Sequence, residues 1–159
     1  MASLYPVFEV PTILEETQKN EAVYKGSAYF DFQTGDFALD GGGKVTPASG
    51  FDAWKQWCIK TIATQRRAYY HYTAGLGIDG EQAMAQPTAE LQQLALETTI
   101  QEALLADPYG RTVEVRDFVW TRSVDSLHMS CTVVGQDDRT ATIEYDIPLE
   151  RRDATWQRA

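Results

Sequence analysis

Two cysteines, Cys58 and Cys131, and two histidines, His71 and His128, are the groups from which nucleophilic or metal chemistry would have to be built in this sequence. A cysteine nucleophile needs a base within hydrogen-bond reach. His128 and Cys131 stand three apart in a run that alternates Leu127, Met129, Cys131 and Val133 with His128, Ser130 and Thr132, so on a strand they point to opposite faces. Zinc takes three or four N/S ligands, usually from close pairs, and here neither Cys nor His occurs in such a pair. Gly75-Leu76-Gly77-Ile78-Asp79-Gly80 has the letters of a dinucleotide fingerprint, but that motif must open a helix directly after a strand in a βαβ context. Gly80 leads instead into a polar stretch and Pro87, so the segment is expected to be a loop that needs positive φ. Carboxylate pairs can cleave glycosides, and Glu97, Glu102 and Asp107 are candidates, yet no spacing fixes a distance between them. The expectation is a chain with no catalytic residues, metal or cofactor, whose two thiols are buried and reduced.

The elements that would hold such residues must come from 159 amino acids carrying 14 Lys+Arg against 23 Asp+Glu, a net charge of −9. That length suits one domain with a real core. The acidity argues against nucleic acid, whose phosphates require a basic surplus, and against an anionic membrane surface. No apolar run approaches the roughly 20 residues of a membrane span. The first residues are interrupted by Pro6, Glu9 and Pro11 and lack the basic start of a signal peptide.

Residues 1–26 read as an extended arm, since Pro6 and Pro11 push their predecessors out of helical geometry. Residues 27–47 read as a hairpin: an aromatic strand over 27–33, a turn at Thr34-Gly35-Asp36, a second strand from Phe37 to Leu39, and a glycine turn at 41–43. Phe51, Trp54, Cys58 and Ile62 recur with helical spacing, predicting a helix from Gly50 to Thr64 capped by Ser49. Arg66 to Tyr72 reads as extended. A second helix is predicted from Thr88, as cap, to about Ala106, with Leu91, Leu94, Ala95, Thr98, Glu102 and Leu105 along one face, ended by Asp107-Pro108. Three strands follow, Thr112 to Thr121, Leu127 to Val134 and Thr140 to Ile147, as an antiparallel meander. The fold class expected is α+β: a single small domain over 27–148, an antiparallel sheet with two main helices on one face, an N-terminal arm, and a tail from 149 to 159. Tyr5, Phe8, Tyr24, Tyr29, Phe30, Phe32 and Phe37 crowd the first quarter, which suits a surface completed by another chain through strand addition.

The order of motifs also resembles a known family. Leu4 to Glu9, Phe30-Asp31-Phe32-Gln33-Thr34-Gly35-Asp36-Phe37 with Asp40-Gly41, Ala53 to Cys58, Thr64-Gln65-Arg66, Tyr72, Gly77-Ile78, and Glu102 to Leu105 with Asp107-Pro108 are similar to the sheath initiators of contractile tails. These are baseplate proteins of myophages, defective prophages and R-type bacteriocins of Gram-positive bacteria. The resemblance spans about residues 4–135. It implies a structural protein, six copies per baseplate, that docks on the wedge proteins and offers its sheet to strands of the sheath protein, with tube or hub proteins as further neighbours, no cofactor, and no nucleic acid or membrane partner. It implies residence in the tail baseplate of a virion or bacteriocin particle assembled in the bacterial cytoplasm. Wider relatives carry a Glu-Pro-Arg-like docking motif after the second helix. Here Asp107 and Pro108 match in type, Tyr109 stands at the arginine, and the open question is whether Arg111 takes its role. The partner contacts implied are Asp107, Pro108 and Arg111, together with Tyr5, Phe8, Gly35, Asp36, Phe37 and Arg66. The competing readings are a peptidoglycan-cleaving, lysozyme-like tail enzyme and an adaptor between wedge and hub that never touches sheath. Six copies at −9 each would sum to about −54, so neighbours are expected to be basic.

Overall fold

Alternating apolar and polar residues between Ser126 and Gly135 build the strand around which the molecule is organised. The computed structural model describes residues 24–149. Most of the expected arm, including Tyr5 and Phe8, and the tail from residue 150 onward lie outside the described residues. Strands β1 (Ser27–Ala28), β2 (Phe30–Asp31), β3 (Asp36–Phe37) and β4 (Pro47–Ala48) precede helices α1 (Gly50–Ala63), α2 (Gly80–Met84) and α3 (Ala89–Leu105). Strands β5 (Thr112–Arg122), β6 (Ser126–Gly135) and β7 (Thr140–Pro148) complete the fold, an α+β domain whose main sheet is antiparallel in the order β5-β6-β7.

Leu127, Met129, Cys131 and Val133 on one face of β6 are buried, and they meet Trp54, Cys58 and Ile62 of α1 and Leu96, Ile100, Ala103 and Leu104 of α3. Helix α1 packs near β7 and α3 near β5. Each fully buried aliphatic side chain contributes about 1.5–3 kcal/mol of transfer free energy, which makes this interface the main source of stability. Trp54 satisfies its buried indole by donating from Nε1 to Thr112 Oγ1 at 3.1 Å, tying α1 to the start of β5. Both caps sit where the spacing predicts: Ser49 Oγ accepts from the Asp52 amide at 3.2 Å and Thr88 Oγ1 from the Leu91 amide at 3.3 Å.

The hairpin expected over 27–47 is present in outline, but its strands are only two residues long. β1 pairs with β4, β2 with β3, and Leu39 bridges Val45. Three expectations differ from the structure. Residues 66–72 form turns rather than an extended stretch, and Arg67 adopts φ 64°. Gly80 opens the short helix α2, which carries no apolar periodicity long enough to be read. The α3 face running through Leu91, Leu94 and Leu105 is the outer one: these leucines are 44%, 59% and 48% exposed. The helix is apolar on two sides, so spacing alone does not choose which side enters the core.

Candidate docking surfaces

Proline at position 108 halts α3 and sets up a tight corner. Inside it Asp107 accepts from the Arg111 side chain at Oδ2 (Nε, 2.7 Å) and Oδ1 (Nη2, 3.0 Å), and from the amides of Tyr109 and Arg111 at 3.1 and 3.0 Å. The two side chains are 0% and 6% exposed, so the pair is an internal brace. The Arg111 guanidinium also lies 5.2 Å from the Trp57 ring and 5.1 Å from the Tyr109 ring, and Lys25 Nζ is 5.2 Å from the Tyr109 ring. What the corner presents outward is Pro108 and Tyr109.

Arg66 is likewise engaged within the chain. Its Nη1 is 2.8 Å from Asp79 Oδ2 and 3.9 Å from Glu102 Oε2, and Nε donates to Gly77 O at 3.2 Å. The glycine loop returns to the end of α1 through Ile78 N–H to Thr64 O (2.9 Å) and Arg66 N–H to Ile78 O (2.8 Å). Gly77 sits at φ 97° as the loop reading requires, and a Cβ there would meet Thr64 O at 2.6 Å. Within the loop the amides of Leu76, Ile78 and Asp79 donate to Thr73 O, Thr64 O and Thr99 Oγ1, so the segment closes on the protein itself.

Gly35 turns the β2–β3 hairpin at φ 75°, and Phe37 packs edge-on against Phe30 with centroids 5.4 Å apart while remaining exposed. The named contacts that fall among the described residues therefore occupy three different places: the corner after α3, the hairpin tip, and the clip behind α1. Among these residues no hydrogen bond or ion pair joins one group to another. Of the candidate carboxylates, Glu97 accepts from Trp120 Nε1 at 2.7 Å and Asp107 is braced by Arg111. Burial pushes the Cys58 thiol up and the Cys131 thiol to about 12, so both stay protonated near neutrality. His128 Nδ1 pairs with Asp146 Oδ1 at 2.8 Å across β6 and β7, on the sheet face opposite Cys131. Among the described residues, no group of three His, Cys, Asp or Glu side chains is placed to hold a metal.

The sheet has two outer strands of different character. β5 breaks register between Thr112 and Glu114 and again between Arg116 and Val119. Asp117 sits at φ 57°, and Arg116 pairs with Glu114 and Asp117. Bulges and charges are devices that block edge pairing. β7 keeps an unbroken register with β6 from Ser126 opposite Pro148 to Val134 opposite Thr140. At the turn Gly135 N–H donates to Arg139 O at 2.8 Å, and at the far end Leu149 N–H donates to Asp125 O at 2.9 Å. Bonded pairs alternate along an antiparallel ladder, so Ala141, Ile143, Tyr145 and Ile147 bond β6. The main-chain groups of Thr140, Thr142, Glu144 and Asp146 therefore point away from it, and no strand pairs with them among the described residues. This edge went unidentified in the sequence because alternation reveals faces and not neighbours.

The family model for contractile injection system sheath initiators matches residues 27–138, more than half of the chain, from β1 to the turn before β7. No curated protein matches the sequence. The family match, which runs from the aromatic hairpin through the two capped helices to the turn after β6, places the chain in the sheath-initiator family of contractile injection systems.

Proposed function

We propose that the protein docks on the baseplate wedge and starts the sheath by accepting a sheath strand along β7. The observation that carries this reading is the contrast between the two edges: β5 is bulged and charged, whereas β7 offers four outward-facing residues in regular register. The two-residue strands of the hairpin are too short to template a partner. β7 follows directly after the residues that match the family, so the choice of edge rests on this chain's own geometry. Main-chain pairing at roughly 0.5–1.5 kcal/mol per bond gives affinity without a cofactor, and a ring of six copies multiplies it. Glu144 and Asp146 flank the edge, so the incoming strand should carry Lys or Arg opposite them. The brace between Asp107 and Arg111 shapes the corner, and Pro108 and Tyr109 make the wedge contact.

Thr142→Pro tests the reading, because it removes an outward N–H without touching the β6 ladder. Electron microscopy should show particles that contain the variant but whose tubes lack sheath. Normally sheathed tails would sink it.

A further inference from the structure

From Ala68 to Gly110 the chain contains no Lys or Arg and six carboxylates. Asp79, Glu97 and Asp107 are engaged by Arg66, Trp120 and Arg111; Glu102 is exposed with Arg66 at 3.9 Å, and Glu81 and Glu90 are exposed. Between α2 and α3 lies an open groove of about 410 Å³ whose floor and walls include Ala83, Gln86, Leu91, Leu94, Thr98 and Glu102. Gln92 holds the walls together by donating from Nε2 to the carbonyls of Met84 (3.1 Å) and Gln86 (3.0 Å). The groove runs along the outer stripe of α3, where Leu91, Leu94, Thr98 and Leu105 recur at coiled-coil spacing although the other side of the helix is already in the core.

We propose that this groove receives a basic amphipathic helix from a neighbouring baseplate protein, laid along α3. Helical geometry follows from the receptor: a leucine stripe at three- and four-residue spacing accepts knobs from another helix, and the helical walls expose no backbone edge for a strand. The stripe from Leu91 to Leu105 is about 21 Å long at 1.5 Å per residue, the length of a four-turn helix. Basic character follows from the carboxylates on these two helices: Glu102 lines the groove with Arg66 3.9 Å away, while Glu81 on α2 and Glu90 at the start of α3 are exposed and make no ion pair among the described residues. A second copy fits poorly, because among the described residues its helices carry only Lys55 and Lys60, both on α1, whose apolar side is buried. The inference rests on the sheath-initiator reading and names a second partner surface for it, separate from β7.

The test uses assembled particles from cells expressing Leu94→Glu or Glu81→Lys/Glu90→Lys in the full chain, with melting of each isolated variant as the folding control. Incorporation into baseplates should fall about tenfold or more, as loss of an interface anchor does, while the melting temperature stays that of the parent. A benzophenone amino acid at position 94, photolysed in parental particles, should crosslink to a positively charged segment of another chain with apolar residues at helical spacing. Crosslinking to a second copy, to residues 150–159 of the same chain, or to an acidic segment overturns the proposal. Normal incorporation of Leu94→Glu overturns it as well and leaves β7 as the sheath edge untouched. Conversely, normal sheathing by Thr142→Pro removes the β7 reading and leaves the groove standing.

Discussion

Arg111 grips both oxygens of Asp107, at 2.7 and 3.0 Å, four residues apart in sequence and almost entirely out of solvent. A pair of this kind neutralises itself. Its value to the protein is the shape it imposes on the corner that displays Pro108 and Tyr109.

Removing one member leaves a buried, uncompensated charge. Arg111→Ala should destabilise the fold by about 3–5 kcal/mol, read as a shift in the urea midpoint at unchanged slope. Arg111→Lys should recover only part of the loss, because a point charge cannot reproduce the two-pronged contact. A loss below about 1 kcal/mol for Arg111→Ala would place the pair among exposed salt bridges instead.

The ladder geometry separates neighbouring positions of β7. Ile143→Pro removes a bond to β6 and a core side chain, and should cost about 3 kcal/mol or more. Thr142→Pro, one residue away with its N–H outward, should leave the isolated protein folded by circular dichroism. Equal damage at both positions would mean that the bonded series has been assigned to the wrong residues.

Gly77 is held at φ 97° with Thr64 O, Arg66 N and Arg66 Cα all within 3.1 Å of where a Cβ would stand. Gly77→Ala should therefore destabilise through both strain and collision, by about 1–3 kcal/mol. Gly35→Ala meets no neighbour and should lose only the cost of its positive φ, about 1 kcal/mol. Thermal melts of the two variants check the order.

Alkaline pH should weaken the fold. Burial, aided by the hydrogen bond to Asp137, raises the Tyr24 hydroxyl to about 12, and burial raises the Cys131 thiol to about 12 and the Cys58 and Tyr145 groups upward. The folded state favours the protonated forms, so their contribution is complete below the unfolded values of about 8.5 for thiols and 10 for phenols. It is lost as pH rises from there toward the folded values. Urea midpoints should hold between pH 7 and 8 and decline from about pH 9 upward, with a shallower decline in Tyr24→Phe. Thiol reagents at pH 8 should modify Cys58 and Cys131 only when denaturant opens the core.

Much of the fold was readable from local signals. Ser49 and Thr88 announced their helices, Asp107-Pro108 announced a stop, and the alternation from Leu127 to Val133 identified the buried face of β6. Arg66 and Arg111 were recognisable as candidate contacts, yet their partners were not, because Asp79 is 13 residues from the one and the bidentate grip of the other depends on the corner's backbone. Leu91 and Leu94 had the spacing of a core face and lie outside it. The missing signal was charge: a long stretch free of Lys and Arg marks the same surface.

The sequence alone determined the α+β composition, the bounds of the two long helices and the meander, because capping, turn residues and period are properties of neighbouring residues, and the order of its motifs pointed to the family. Only the tertiary structure decided which side of α3 faces the core, which edge of the sheet is regular, and that the acid and base after α3 brace each other. Those outcomes depend on the rotation of a helix against a sheet and on the phase of a hydrogen-bond ladder, and both are settled by packing between segments far apart in the chain.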